Sequence, residues 1–131
     1  MPDRSALVID DDVAIGALVT HLLQRANVLV AIAENGAQAF DLVRRQSFRV
    51  ILLDLMMPEM NGFDFLDALR DERPDLVSRV IVVTAHSKRG QPPVCDDVFQ
   101  VLNKPFDIVE LLQAVELCLS DSVHTNIALN L

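Results

Sequence analysis

Five short apolar runs, rich in β-branched residues, recur through this chain of 131 residues, at 6–9, 28–32, 50–53, 80–83 and 99–102. Each is only four or five residues long and carries apolar side chains on both faces. Strands of that kind are stable only when both faces of their sheet are covered, and helices crossing between parallel strands provide the cover. The intervening segments carry matching stripes. Ile15, Leu18, Val19, Leu22 and Leu23 recur at helical spacing, Asn35-Gly36 opens a second helix with Ala39, Phe40 and Val43 inward, and Phe63, Phe65, Leu66 and Leu69 form a third that Pro74 closes. A last helix begins at Asp107, with Glu110 at capping-box distance and Ile108, Leu111, Leu112, Val115 and Leu119 as its stripe. The alternation predicts an α/β fold, a doubly wound five-stranded parallel sheet with helices on both faces. Right-handed crossovers then bring the C-terminal ends of all strands to one edge, where such folds hold their sites.

Two stretches break the pattern. Residues 87–97 contain Gly90 and the pair Pro92-Pro93, which a regular helix does not accept, so the fourth helix is expected to be short or irregular. Residues 121–131 have weak periodicity and read as a C-terminal tail, a frayed end or linker stub, after a single domain at 1–120. That length supports a core without metal or disulfide staples.

Composition removes several function classes. Nineteen acidic residues against eleven basic ones leave a net charge of −8, the wrong sign for a surface that neutralises nucleic-acid phosphates or anionic lipid. No apolar run approaches the length of a membrane span, and the N-terminus lacks the layout of a signal peptide. Cys95 and Cys118 have no metal-binding or CxxC spacing and are expected to be buried or incidental thiols in a reducing cytoplasm.

The polar residues just after the strands carry the chemistry. Asp10, Asp11 and Asp12 follow the first strand, Asp54 the third, Thr84 the fourth and Lys104 the fifth. Crowded carboxylates repel one another unless a cation sits among them, and hard oxygen donors without His or Cys select Mg²⁺ or a similar ion such as Mn²⁺. A hydroxyl and an ammonium facing that ion complete a cradle for a phosphoryl group, and one carboxylate becomes a nucleophile that forms an acyl phosphate. Each residue alone also has an ordinary reading: helix cap for the aspartates, turn residue for Asp54, strand end for Thr84, solvated lysine for Lys104. Together, complementary groups at four strand ends favour the joint site.

The segments Leu7-Val8-Ile9-Asp10-Asp11-Asp12, Asp54-Leu55-Met56-Met57-Pro58-Glu59-Met60-Asn61-Gly62, Val82-Val83-Thr84-Ala85 and Asn103-Lys104-Pro105-Phe106 resemble the receiver domain of two-component response regulators, with the chemotaxis-regulator type of fold. The resemblance runs over about residues 5–120. It implies strand order 2-1-3-4-5. It implies that Asp54 accepts a phosphoryl group from a histidine kinase or a histidine phosphotransfer protein. Asp10, Asp11, Asp54 and the backbone carbonyl of Met56 would then hold Mg²⁺, while Thr84 and Lys104 bind the phosphoryl group and the Lys104–Pro105 bond is cis. Such a domain is a signalling module, catalysing only its own phosphorylation and dephosphorylation, and acts on a downstream effector or an output domain, in some cases as a phosphorylation-linked homodimer. Met56 and His86 fall where the family tunes loss of phosphate. A bulky Met56 predicts a long-lived phosphoform, and His86 reads more simply as an exposed loop residue.

Two departures stand out. Val101 occupies the position, three before the lysine, where the family usually carries an aromatic switch residue. Phe99 lies two residues earlier and, by strand alternation, is expected on the same face. The Gly90-Pro92-Pro93 segment also shortens the stretch before Lys104. These features keep a phosphorylation-independent, receiver-like interaction module as the alternative. An aspartate-nucleophile phosphatase built on Asp10 and Asp12 would want a threonine-like residue where Ala14 stands, and it would leave Asp54 unexplained. A flavin or nucleotide binder would want a Ser/Thr/Gly-rich loop where the three aspartates stand.

Overall fold

The computed structural model describes residues 4–55, 62–84, 97–103 and 107–130, with backbone alone at Thr84 and at 121–130. The strands are β1 (Ser5–Ile9), β2 (Leu29–Ala33), β3 (Val50–Asp54), β4 (Val80–Thr84) and β5 (Gln100–Asn103), within a residue of the expected bounds. All neighbours run parallel, in the order β2-β1-β3-β4-β5. The helices are α1 (Val13–Arg25), α2 (Gly36–Arg45), α3 (Gly62–Glu72), α4 (Pro74–Val77) and α5 (Ile108–Asn130).

Alternation along each strand divides the core into two layers. Leu7, Ile9, Ile51, Leu53, Val80 and Val82 face Ala39, Val43, Phe65, Leu66, Leu69 and Leu76 on one side of the sheet. Ala6, Val8, Val50, Leu52, Ile81 and Leu102 face Val19, Leu23, Leu111, Val115 and Leu119 on the other. The pairing Ala6↔Val50 and Ile51↔Val80 keeps like-facing residues level, so a one-residue slip would turn each buried set onto the wrong face. At the edge, β2 is only partly covered: Leu29 is 62% and Ile32 47% exposed, so the expectation of two covered faces holds for the inner strands and not for β2.

Local signals end the helices where the chain must turn. Asp12 accepts the Ala14 and Ile15 N–H groups and starts α1. At its other end Asn27 takes φ 65°, its N–H donates to the Gln24 carbonyl, and the Val28 N–H donates to the Leu23 carbonyl. This is a Schellman stop with asparagine in the left-handed position, closed by apolar packing of Val28 with Leu23 in one core layer. Asn35 accepts the Gln38 N–H at the start of α2, as the Asn35-Gly36 signal predicts. Asp107 accepts the Val109 N–H at the start of α5.

The buried faces are rotated relative to the apolar stripes. On α1 the buried set is Gly16, Val19, Thr20 and Leu23, while Leu18 is 50% exposed. On α5, Ala114 and Cys118 are buried and Ile108 is 41% exposed. The covered face of α1 thus runs through Gly16 and Thr20, and that of α5 includes Ala114 and Cys118. Pro74 does more than close α3: it opens the four-residue helix α4, which the sequence pattern does not announce. The backbone of α5 is helical from Ile108 through Asn130, so residues 121–130, expected as a frayed end or linker stub, continue that helix. The Gly90-Pro92-Pro93 segment and Cys95 lie outside the described residues. Cys118 is buried, with Sγ near the Arg49 and Arg79 carbonyls.

Candidate functional site

Parallel pairing aligns the strand ends. Ile9 is level with Ala33 and Leu53, which puts Asp10, the next residue on, level with Asp54. Asp54 is in turn level with Val83, and Thr84 with Asn103. The sheet therefore delivers Asp10, Asp54 and Thr84 to one edge from three adjacent strands. The Asp10 N–H donates to the Ala33 carbonyl at 3.1 Å and the Leu55 N–H to the Val83 carbonyl at 3.2 Å, so the ladder continues up to the site.

Carboxylate oxygens of Asp10, Asp11 and Asp54 lie within 4.8 Å of one another. Asp54 is 5% exposed and Asp10 9%, whereas Asp11 faces solvent. The consecutive aspartates are thus separated into different tasks. Asp10 Oδ1 accepts the Asp12 N–H at 2.9 Å, which orients its carboxylate while leaving lone pairs for a second contact. Asp12 turns away to cap α1 and is not part of the cluster. Behind Asp10 and Asp54 lies a cavity of about 20 Å³ walled by Val8, Ile15, Val19, Leu52, Val83 and Leu111. The apolar wall strengthens the field of the carboxylates beside it. The donor set is all oxygen, which fits a hard divalent ion of the Mg²⁺ class.

Of the other expected site residues, Thr84 ends β4 at the right level, with its side chain outside the described set. Lys104, Pro105, Met56, Ala85 and His86 lie outside the described residues. Val101 packs with the layer containing Phe65 and Leu69, as its position on β5 requires. Phe99 does not share that face: it packs with Leu102 and Leu111 in the opposite layer. The chain bends at Val98 and Phe99 before β5 begins, so alternation does not extend back to Phe99, and it does not substitute for an aromatic at Val101.

Two contacts escaped sequence reasoning, one at the site and one near the opposite edge of the sheet. Gly62 donates its N–H to the Leu55 carbonyl at 3.0 Å and lies directly against the end of β3. Arg70 on α3 grips Asp97, just ahead of β5. Glycine spacing after Asp54 was the only signal for the first, and nothing local announces the second.

Among known proteins, the model of the response regulator receiver domain matches residues 6–116. The DNA-binding transcriptional regulator NtrC of Bradyrhizobium sp. (strain RP501 Parasponia) is 33% identical over 123 residues, covering 92% of this chain and 25% of that protein. The transcriptional regulatory protein CusR of Escherichia coli (strain K12) is 31% identical over 112 residues, covering 83% of this chain and 48% of that protein. The chain thus spans a quarter to a half of these relatives. Among solved structures, the response regulator TrrA of Thermotoga maritima, in complex with Mg²⁺ and BeF, superposes with a TM-score of 0.77 at 25% identity, covering 88% of this chain and 98% of that one. Sheet order, the aspartate cluster at its C-terminal edge and the match over most of the chain agree, and the chain belongs to the response regulator receiver domain family.

Proposed function

We propose that this domain accepts a phosphoryl group on Asp54 from the phosphohistidine of a histidine kinase or phosphotransfer protein, in a Mg²⁺-dependent reaction, and thereby switches its protein contacts. The observation that carries the reading is the convergence of Asp10, Asp11 and Asp54 within 4.8 Å at the C-terminal edge of the sheet. In the transfer, an Asp54 carboxylate oxygen attacks phosphorus in line. The nitrogen–phosphorus bond of the donor breaks, and the imidazole leaves with the bonding pair and takes up a proton. The product is an acyl phosphate on Asp54. Mg²⁺, when bound, would supply positive charge that offsets the phosphoryl and carboxylate charges.

The chain's own residues position that chemistry. Asp10, held by the Asp12 N–H, solvent-facing Asp11 and Asp54 would hold the ion, with the Met56 carbonyl as a further ligand. The near-complete burial of Asp54 limits attack by bulk water, and the hydroxyl of Thr84 and the ammonium of Lys104 would complete the anion cradle. Membership of the receiver family supports action in the cytoplasm on an effector protein or an attached output domain, and among the described residues no helix is long and apolar enough to cross a membrane.

The test is intact mass after incubation with acetyl phosphate and Mg²⁺, beside an Asp54→Ala control. The reading expects a single phosphoryl adduct that needs Mg²⁺ and disappears in the variant. If neither acetyl phosphate nor beryllofluoride with Mg²⁺ changes the mass or the amide spectrum around Asp54, the domain is a phosphorylation-independent interaction module.

A further inference from the structure

Gly62 is the first residue of α3, and its φ lies outside the left-handed region, so backbone freedom does not explain a glycine there. Space does. A Cβ at this position would sit 2.5 Å from Leu55 Cα, 2.8 Å from the Asp54 carbonyl oxygen and 2.8 Å from Leu55 Cδ2. Two of these three atoms are backbone, and they belong to the candidate acceptor and the residue after it. A flexible side-chain tip can swing away from a new methyl group, but backbone atoms move only by shifting the strand end.

We infer that Gly62 is a positioning residue for the phosphoacceptor: its missing Cβ lets the start of α3 close onto the end of β3 and fixes the height of Asp54 relative to Asp10 and Asp11. The contact is locked from both sides. The Gly62 N–H donates to the Leu55 carbonyl, and the Leu55 N–H donates to the Val83 carbonyl, so the backbone between Asp54 and Leu55 is held between α3 and β4. With Asp54 and Leu55 already buried and level with β4, a methyl at residue 62 has no free volume to enter. The displacement falls on the one carboxylate that must meet both a cation and an in-line donor, where small errors in placement are costly. This inference rests on the receiver reading above.

The test is Gly62→Ala in a Gly16→Ala background. The second change adds stability, because a Cβ at residue 16 meets nothing within 4 Å. Mg²⁺ affinity by calorimetry, the apo amide shifts of Asp54 and Leu55, and the rate of phosphorylation by acetyl phosphate are read beside urea stability. Expected are a folded protein with shifted Asp54 and Leu55 amides before any metal is added, and Mg²⁺ binding weakened about tenfold or more. Phosphorylation slows with it. Leu119→Ala, which destabilises from the opposite core layer and does not line the cavity behind Asp10 and Asp54, should lose stability without losing Mg²⁺ affinity. Adding Leu55→Val, which trims the one side-chain contact, should not restore Mg²⁺ binding.

Unchanged Mg²⁺ affinity in Gly62→Ala, or full recovery with Leu55→Val, would overturn the inference. So would a Gly62→Ala chain that does not fold in the stabilised background, since the glycine would then serve the fold rather than the site. If the parent protein itself neither binds Mg²⁺ nor accepts phosphate, it is the receiver reading that fails.

Discussion

Arg70 and Asp97 meet in a two-pronged ion pair, with Nε 2.6 Å from one carboxylate oxygen and Nη2 2.8 Å from the other. Arg70 also reaches Asp67 one helical turn back, at 2.9 Å, so its guanidinium is held by two carboxylates. The pair ties α3, which begins beside the acceptor strand, to the point where the chain enters β5. The Arg70 hydrogen bond holds the Asp97 carboxyl below its ordinary range, and the Arg70 guanidinium is correspondingly harder to deprotonate.

A pH dependence follows from that shift. A carboxyl whose folded-state value is depressed contributes stability above its ordinary range, and the contribution is lost as pH falls through the depressed value. With Asp97 47% exposed, the contribution is about 0.5–1 kcal/mol near neutrality and falls with added salt. Urea unfolding of the parent and Asp97→Asn should therefore differ near pH 7 and converge in acid. Equal stability of the two near pH 7 at low salt would show the pair to be energetically silent.

The adjacent aspartates should separate under mutation. Asp12→Ala removes the α1 cap and should cost about 1 kcal/mol while leaving Mg²⁺ binding largely intact. Asp11→Asn should abolish tight Mg²⁺ binding without loss of stability in chelator, because it relieves repulsion within the cluster. Calorimetry and urea melts in EDTA read the two effects separately.

Metal should act as a stabiliser of the folded chain. A ligand that binds only the native state adds about 2.7 kcal/mol at a hundred times its Kd, so Tm should climb with Mg²⁺ concentration. Asp10→Asn should flatten that climb. A climb that persists in the variant would place the ion elsewhere.

Asn27 is held in the left-handed region at φ 65° by the Schellman stop. Replacement with alanine should cost about 1 kcal/mol, since a Cβ without a polar side chain is strained there, whereas Asn27→Gly should be close to neutral. A chemical melt distinguishes them.

Gly16 occupies the interior of α1 with open space where a side chain would begin. Gly16→Ala should stabilise by about 0.5–1 kcal/mol through reduced backbone entropy of the unfolded chain. A loss of stability would mean that the notch beside Gly16 is occupied.

Much of this protein was legible along the chain. Short β-branched runs and helical stripes are local periodicities, and covering both faces of such strands leaves few arrangements besides a parallel sheet. The expected positions of β1, β3 and β4 were therefore within a residue of those observed, and Asp10 and Asp54 fell at the ends of paired strands as their places after the runs required. Starts and stops carried by single residues, Asn35 for α2 and Asp107 for α5, were equally local. What the tertiary structure alone decided depends on neighbours distant in sequence. Which of three consecutive aspartates caps a helix and which two join Asp54 depends on where β3 stands beside β1. The bend before β5 places Phe99 opposite Val101, because pairing with β4 begins one residue later than the apolar run. The contact of Gly62 with Leu55 is set by how closely backbones approach, a quantity that hydrophobic pattern does not encode because a glycine adds nothing to the pattern. Arg70 and Asp97 find each other only once α3 and the start of β5 are packed on the same layer.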